Sequence, residues 1–175
     1  VTFAGTTLWF ETRPDDLLFS KKINDLTAIG GASPAAVHAW IAQQHREAIK
    51  FLSSGAARAA DVVVTHHIPV EALVNERWRG AELNRFFVGG AESTIAPIVG
   101  LGLQPKLWLY GHTHAFDDRQ LGDIPTRFIV NPLGYPWEPA RGFQEKLVLQ
   151  VEPTPDAGRK SIDPVVGSSP KAELS

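Results

Sequence analysis

Leu107-Trp108-Leu109-Tyr110-Gly111-His112-Thr113-His114 is a short apolar run that stops at a glycine and then presents two histidines one residue apart. Side chains alternate across an extended strand, so His112 and His114 are expected on one side, with Thr113 turned away. Two imidazoles at that spacing can each give a nitrogen to one metal ion, or to two neighbouring ones. Gly111, with no side chain, lets the backbone turn sharply or come close to whatever the histidines hold. An isolated His-x-His is more often a pair of half-exposed loop residues. Its weight here comes from a second pair, His66-His67, placed in the same way after the run Asp61-Val62-Val63-Val64-Thr65.

That second run is β-branched without alternation, the pattern of a strand covered on both faces. It ends at Ile68-Pro69, where proline stops further pairing. Upstream, Ser33-Pro34 is a helix start, with a capping hydroxyl followed by proline in the first turn. Val37, Trp40, Ile41, Ala48, Ile49 and Leu52 then recur at helical spacing up to about Ser53, and Ser54-Gly55 ends the helix. His38 and His45 lie on this helix and read as flank residues, not ligands. Val1–Ala4 reads as a further strand, and residues 11–32 as a loop with a short helix over Leu17–Ile23. Glu71–Arg77 and Ala81–Val88 are each expected to form a turn or two of helix, and Glu92–Leu101 a longer one closed by Gly102.

Beyond His114, Ala115–Leu121 and Thr126–Asn131 read as strands joined by the turn Gly122-Asp123-Ile124-Pro125. Asn131-Pro132-Leu133-Gly134-Tyr135-Pro136 is a rigid turn, and Phe143–Val151 alternates as a last strand. Residues 1–151 therefore read as one domain, and 152–175, rich in Pro, Ser, Gly and charge, as a disordered tail. Strands alternating with helices, then a strand-rich end, predict a layered α/β fold.

Composition narrows the function. The chain has 175 residues, 43% hydrophobic and 21% charged, the balance of an ordinary globular protein. A net charge of −2 leaves no electrostatic footprint for nucleic acid. No apolar run approaches the roughly 20 residues that span a bilayer. There is no cysteine, so any metal must sit on His, Asp, Glu or Asn, and a cytoplasmic location is expected. The chain opens on Val1 and contains no methionine, which suggests a start inside a longer protein.

Val62-Val63-Val64-Thr65-His66-His67-Ile68-Pro69, followed by Leu107-Trp108-Leu109-Tyr110-Gly111-His112-Thr113-His114, resembles the second half of a calcineurin-like metallophosphoesterase. Phe3-Ala4-Gly5-Thr6-Thr7-Leu8-Trp9 and Asn131-Pro132-Leu133-Gly134-Tyr135 resemble a bacterial branch of that family, so the likeness covers roughly residues 1–150. It implies an αββα fold, a layered β-sandwich flanked by helices, here lacking its N-terminal strands. It also implies two divalent metal ions (Mn, Fe or Zn) and a small-molecule phosphoester as substrate. His112 and His114 match the paired histidine ligands. His66 or His67 matches the preceding one: the strand end favours His66, the following proline His67. Asn131 matches a segment that closes over the site, although a turn residue would also sit there.

The family's first-half motifs, Asp-x-His, Gly-Asp-x-x-Asp and Gly-Asn-His, do not occur in this sequence. With them go the bridging aspartate, the asparagine ligand and a further histidine. The chain alone is therefore expected to be inactive or very weak, to hold one metal or none, and to self-associate through unpaired Val62–Val64 and Leu107–Leu109 strand edges. Two other readings follow from the same residues. One is a catalytically inactive remnant that binds metal or a partner. The other is similarity to the metallo-β-lactamase His-x-His-x-Asp-His, from His112, His114 and Asp117, with the aspartate displaced and no histidine after it.

Overall fold

The computed structural model describes residues 1–29, 33–90, 102–139 and 141–153. Five strands form one mixed, mostly parallel sheet: β1 (Phe3–Thr6), β2 (Val62–Thr65), β3 (Leu107–Leu109), β4 (Asp117–Gln120) and β5 (Arg127–Val130), in the order β1-β2-β3-β5-β4. β1, β2, β3 and β5 run parallel, and β4 returns antiparallel to β5 as the expected hairpin.

The register aligns Ala4, Val63, Trp108 and Phe128 in one row across four strands. All four are buried, and they join Ala48 and Leu52 in the main core. Each fully buried large apolar side chain in that row contributes about 1.5–3 kcal/mol. The indole Nε1 of Trp108 donates to the Thr65 hydroxyl at 3.0 Å, and that hydroxyl donates to the His67 carbonyl at 2.9 Å. The core row is thereby tied to the chain carrying the first histidine pair.

Helix α2 (Pro34–Leu52), after the short α1 (Asp25–Ala28), covers this face. Its start is as the sequence predicts: the Ser33 hydroxyl accepts from the Ala36 N–H at 3.3 Å. Val37, Ile41, Ala48 and Leu52 are buried, whereas Trp40 remains 42% exposed, so the inward face is narrower than the apolar periodicity implied. Gly55 opens a further helical turn, α3 (Gly55–Arg58), with Ser54 capping it.

On the sheet's other face Leu147, Leu149 and Val151 pack onto Val62, Leu107 and Ile129. They belong to the segment expected as a last strand. It opens with a turn closed by the Leu147 N–H on the Gln144 carbonyl, and beyond that its side chains alternate in burial, but it forms no ladder with the sheet. This cover stops short of β1, leaving Phe3 at 69% and Val64 at 39% exposure. Cover on both faces of β2 thus holds at Val62 and fails at Val64. The strands expected to lack partners, β2 and β3, are instead central, each paired on both sides. The sheet ends at β1 and β4.

Residues 71–88 form short 3-10 turns, Glu71–Leu73, Glu76–Trp78 and Glu82–Phe86, and a similar turn, Pro14–Phe19, replaces the short helix expected over Leu17–Ile23. An ion pair locks two of these turns together. Buried Asp16 meets the Arg85 guanidinium at 2.7 Å, while its other oxygen accepts from the Arg13 N–H at 2.6 Å and faces His38 on α2 at 3.2 Å. The helix expected over Glu92–Leu101 and the tail from residue 154 lie outside the described residues. Among those described, no helix is long and apolar enough to cross a membrane.

Candidate functional site

Because β2 and β3 are parallel neighbours, their carboxyl ends open at the same edge of the sheet, where open α/β sheets place ligands. The histidine pairs follow those ends. Thr7, just past β1, accepts from the N–H groups of both His66 and His67, at 3.2 and 3.1 Å. The Gly111 N–H donates to the His66 carbonyl at 2.9 Å. A Cβ at Gly111 would lie 3.3 Å from both the His66 carbonyl oxygen and its ring Nδ1. The glycine is thus needed for close approach of the two histidine segments to each other.

Strand geometry does not carry through to His112. β3 ends at Leu109, and His112 adopts a left-handed backbone, φ 63°, which a non-glycine residue occupies only at a cost that surrounding structure must hold. The turn buries Thr113 and sends the two rings to different neighbours. The His112 ring lies 4.8 Å from that of His66 and 4.5 Å from that of His67, and stacks on Phe87 at 4.5 Å. His114 instead pairs through Nδ1 with Glu138 at 2.5 Å and meets Tyr135 edge-on at 4.7 Å. His112 thus clusters with His66 and His67, while His114 is held in a carboxylate pair. His112, Thr113 and His114 all line one cavity of about 440 Å³.

His67 is fully buried. Its Nδ1 faces the Thr7 carbonyl at 3.3 Å. A carbonyl only accepts, so Nδ1 carries the proton and Nε2 presents a lone pair. That Nε2 is buried and has no hydrogen-bond partner among the described residues. Burial, helped by the neighbouring His112, pushes the His67 pKa down to about 3. Burial likewise lowers His112 to about 4, assisted by His66 and His114 and partly offset by a hydrogen bond to the Phe86 backbone. His66 is lowered by burial against the opposing pull of Asp25. At neutral pH these are uncharged rings, the form that binds metals.

No protein-family model matches the chain, and no curated protein matches it. Its chemistry has to be read from its own residues.

Two carboxylates absent from the sequence-based ligand set line the same cavity. Asp25, held above the usual carboxylate range by burial, acts electrostatically on His66. Glu138 is held low, first by the Tyr135 N–H and then by His114. Glu138 could have been suspected from its place just after the Asn131–Pro136 turn. Asp25 carries no sequence signal, because only folding brings it to the histidines.

Asn131 does not line the cavity. Its side chain clamps Gln144, donating to the carbonyl and accepting from the N–H, both at 2.9 Å. It therefore acts as a turn residue that anchors the cover strand. His38 and His45 also stay outside the cluster, bonded to Arg13 and Asp16 and to the Trp9 carbonyl, respectively.

Three imidazoles lie together here, one with a buried nitrogen that finds no partner among the described residues. Among the described residues, no three His, Asp or Glu side chains form a group arranged to hold a metal ion. The two-cation arrangement implied by the resemblance is not assembled among them.

Proposed function

We propose that this chain serves metal-dependent hydrolysis of a phosphoester, monoester or diester, and carries the histidine-bearing half of such a site. The observation that supports this is His67, a fully buried imidazole with a fixed tautomer and an unpartnered Nε2, in ring contact with His66 and His112. An unsatisfied buried nitrogen is costly and calls for a functional explanation.

His66, His67 and His112 would hold the cation, of the Mn, Fe or Zn type, with His114 beside them. A divalent ion bound there supplies a water of lowered pKa and draws charge from phosphoryl oxygens. The chain's own residues prepare for it. Thr7 fixes the His67 tautomer, and burial against Phe87 keeps His112 uncharged. Glu138 holds Nδ1 of His114, which in the neutral ring leaves Nε2 as the acceptor. The net reaction adds water across the P–O ester bond, releasing an alcohol and the phosphate product.

The finer architecture belongs to the same proposal. In a metallophosphoesterase-like αββα sandwich a second sheet covers the first, and Leu147, Leu149 and Val151 lie on the face it would cover.

The test is calorimetric titration of the EDTA-stripped chain with zinc or manganese, followed by assays with bis-p-nitrophenyl phosphate and p-nitrophenyl phosphate. One cation is expected, with affinity lost in both His67→Ala and His112→Ala, and hydrolysis absent or very weak. A cation whose uptake neither substitution changes overturns the assignment. Two tight cations with clear diester hydrolysis would show that carboxylate ligands reside in this chain. Metal uptake with no hydrolysis in any longer form would favour the metal-binding remnant instead.

A further inference from the structure

The cavity beside the histidines is larger and more apolar than a phosphoryl group can use. Ile68, Val74 and Phe86 on its wall are buried, while Trp78 and Tyr135 offer rings that stay 43% and 50% exposed. Phe87 joins them and stacks on His112. The wall is also braced. The Asn84 side-chain amide donates to the Trp78 carbonyl at 2.5 Å, Asn75 accepts from the Arg77 N–H at 3.1 Å, and the Arg85–Asp16 pair anchors the turn carrying Phe86. The aromatic side chains share the chamber with polar and charged ones, Lys22, Asp25, Glu82, Glu138 and Arg141 among them, and a pocket that combines aromatic carbon with polar groups is what small-molecule sites present. Tyr135 already stacks on Trp137 and the Arg77 guanidinium lies over the Trp78 ring, so an incoming ring would extend an existing aromatic array.

We propose that this cavity receives an aromatic group of the substrate. The ligand is an aryl-bearing phosphoester, with its ring among Trp78, Phe87 and Tyr135 and its phosphorus toward His112 and His114. This rests on the phosphoesterase reading above and narrows it to substrates with a flat, largely apolar organic part.

The experiment titrates the intact chain with 1-naphthyl phosphate, 1-naphthol, ethyl phosphate and inorganic phosphate, each in EDTA and with zinc, by calorimetry and tryptophan fluorescence. Naphthol is expected to bind with or without metal. With zinc, naphthyl phosphate should bind about tenfold or more tighter than ethyl phosphate, the scale on which a fitted apolar pocket discriminates. Trp78→Ala should weaken both naphthyl ligands by a similar factor and leave zinc uptake unchanged, with Tyr135→Ala as a second variant in the same direction. Equal affinity for naphthyl and ethyl phosphates, or naphthyl binding indifferent to both substitutions, overturns the proposal. Failure of zinc uptake alongside Trp78-dependent naphthol binding would remove the phosphoester and keep the aromatic occupant. Metal-dependent phosphate binding with no aromatic preference would do the reverse.

Discussion

Acidifying the metal-free protein should weaken it well above the pH at which its carboxylates protonate, and His67 sets the scale. Its folded pKa is about 3, against 6.5 for an unperturbed histidine. Below pH 6.5 the unfolded chain takes up a proton that the folded chain refuses. The stability is therefore present above 6.5 and is lost as pH falls from there toward 3. Each pH unit across that window costs about 1.4 kcal/mol for one such group, or about 2 kcal/mol by pH 5. His112, with a folded value of about 4, pulls in the same direction. Because His112 helps to depress His67, their losses do not simply add. The assay is urea unfolding in EDTA at several pH values from 7.5 to 5. His67→Leu should lose about 2 kcal/mol less than the parent between pH 6.5 and 5, since it removes one proton-refusing site. At pH 7.5 the variant gives up the bond to Thr7, worth about 1 kcal/mol, and the ring contacts with Trp9 and His112, and is relieved of the unpartnered Nε2. Parallel pH profiles for the two proteins would refute the claim that His67 is buried and neutral.

Asp16→Asn removes the buried partner of the Arg85 guanidinium, leaving it the exposed Asp15 at 3.3 Å, and should destabilise the fold by about 3 kcal/mol, read from the same urea curves. No change would mean that the pair is not formed in solution. Gly111→Ala places a methyl group 3.3 Å from the His66 ring and carbonyl, pushing the two histidine segments apart. Zinc affinity should fall about tenfold, on the scale of disturbed ligand support, with only a small change in unfolding midpoint; unchanged zinc affinity would contradict that placement.

Much of the frame was legible because its signals are local. The β-branched run before His66, the capped amphipathic helix from Ser33, and the apolar run before Gly111 each carry their own pattern of burial, and all three elements appear where read. So does the hairpin of β4 and β5, punctuated by its Gly122–Pro125 turn. The nearness of His66, His67 and His112 was also legible, since two runs of parallel-strand character that end in histidines deliver them to one edge of a sheet.

What only the tertiary structure decided depends on contacts distant in sequence. Periodicity does not report that a strand stops at Leu109, so His112 and His114 read as a same-side pair. A left-handed His112, held by packing on Phe87 and the other histidines, gives the two rings different partners while both still line the cavity. Asp25 and Glu138 join the cavity through folding alone. The central position of β2 and β3 was set by β1 and β5, short strands whose partners no local pattern specifies. The cavity wall, built from three 3-10 turns and a bracing ion pair, left no period in the sequence. Sequence by itself determined which segments bury apolar surface and where histidines leave the sheet, because burial preference is written residue by residue. The tertiary structure decided which side chains meet there, because that is settled by the closure of the whole chain.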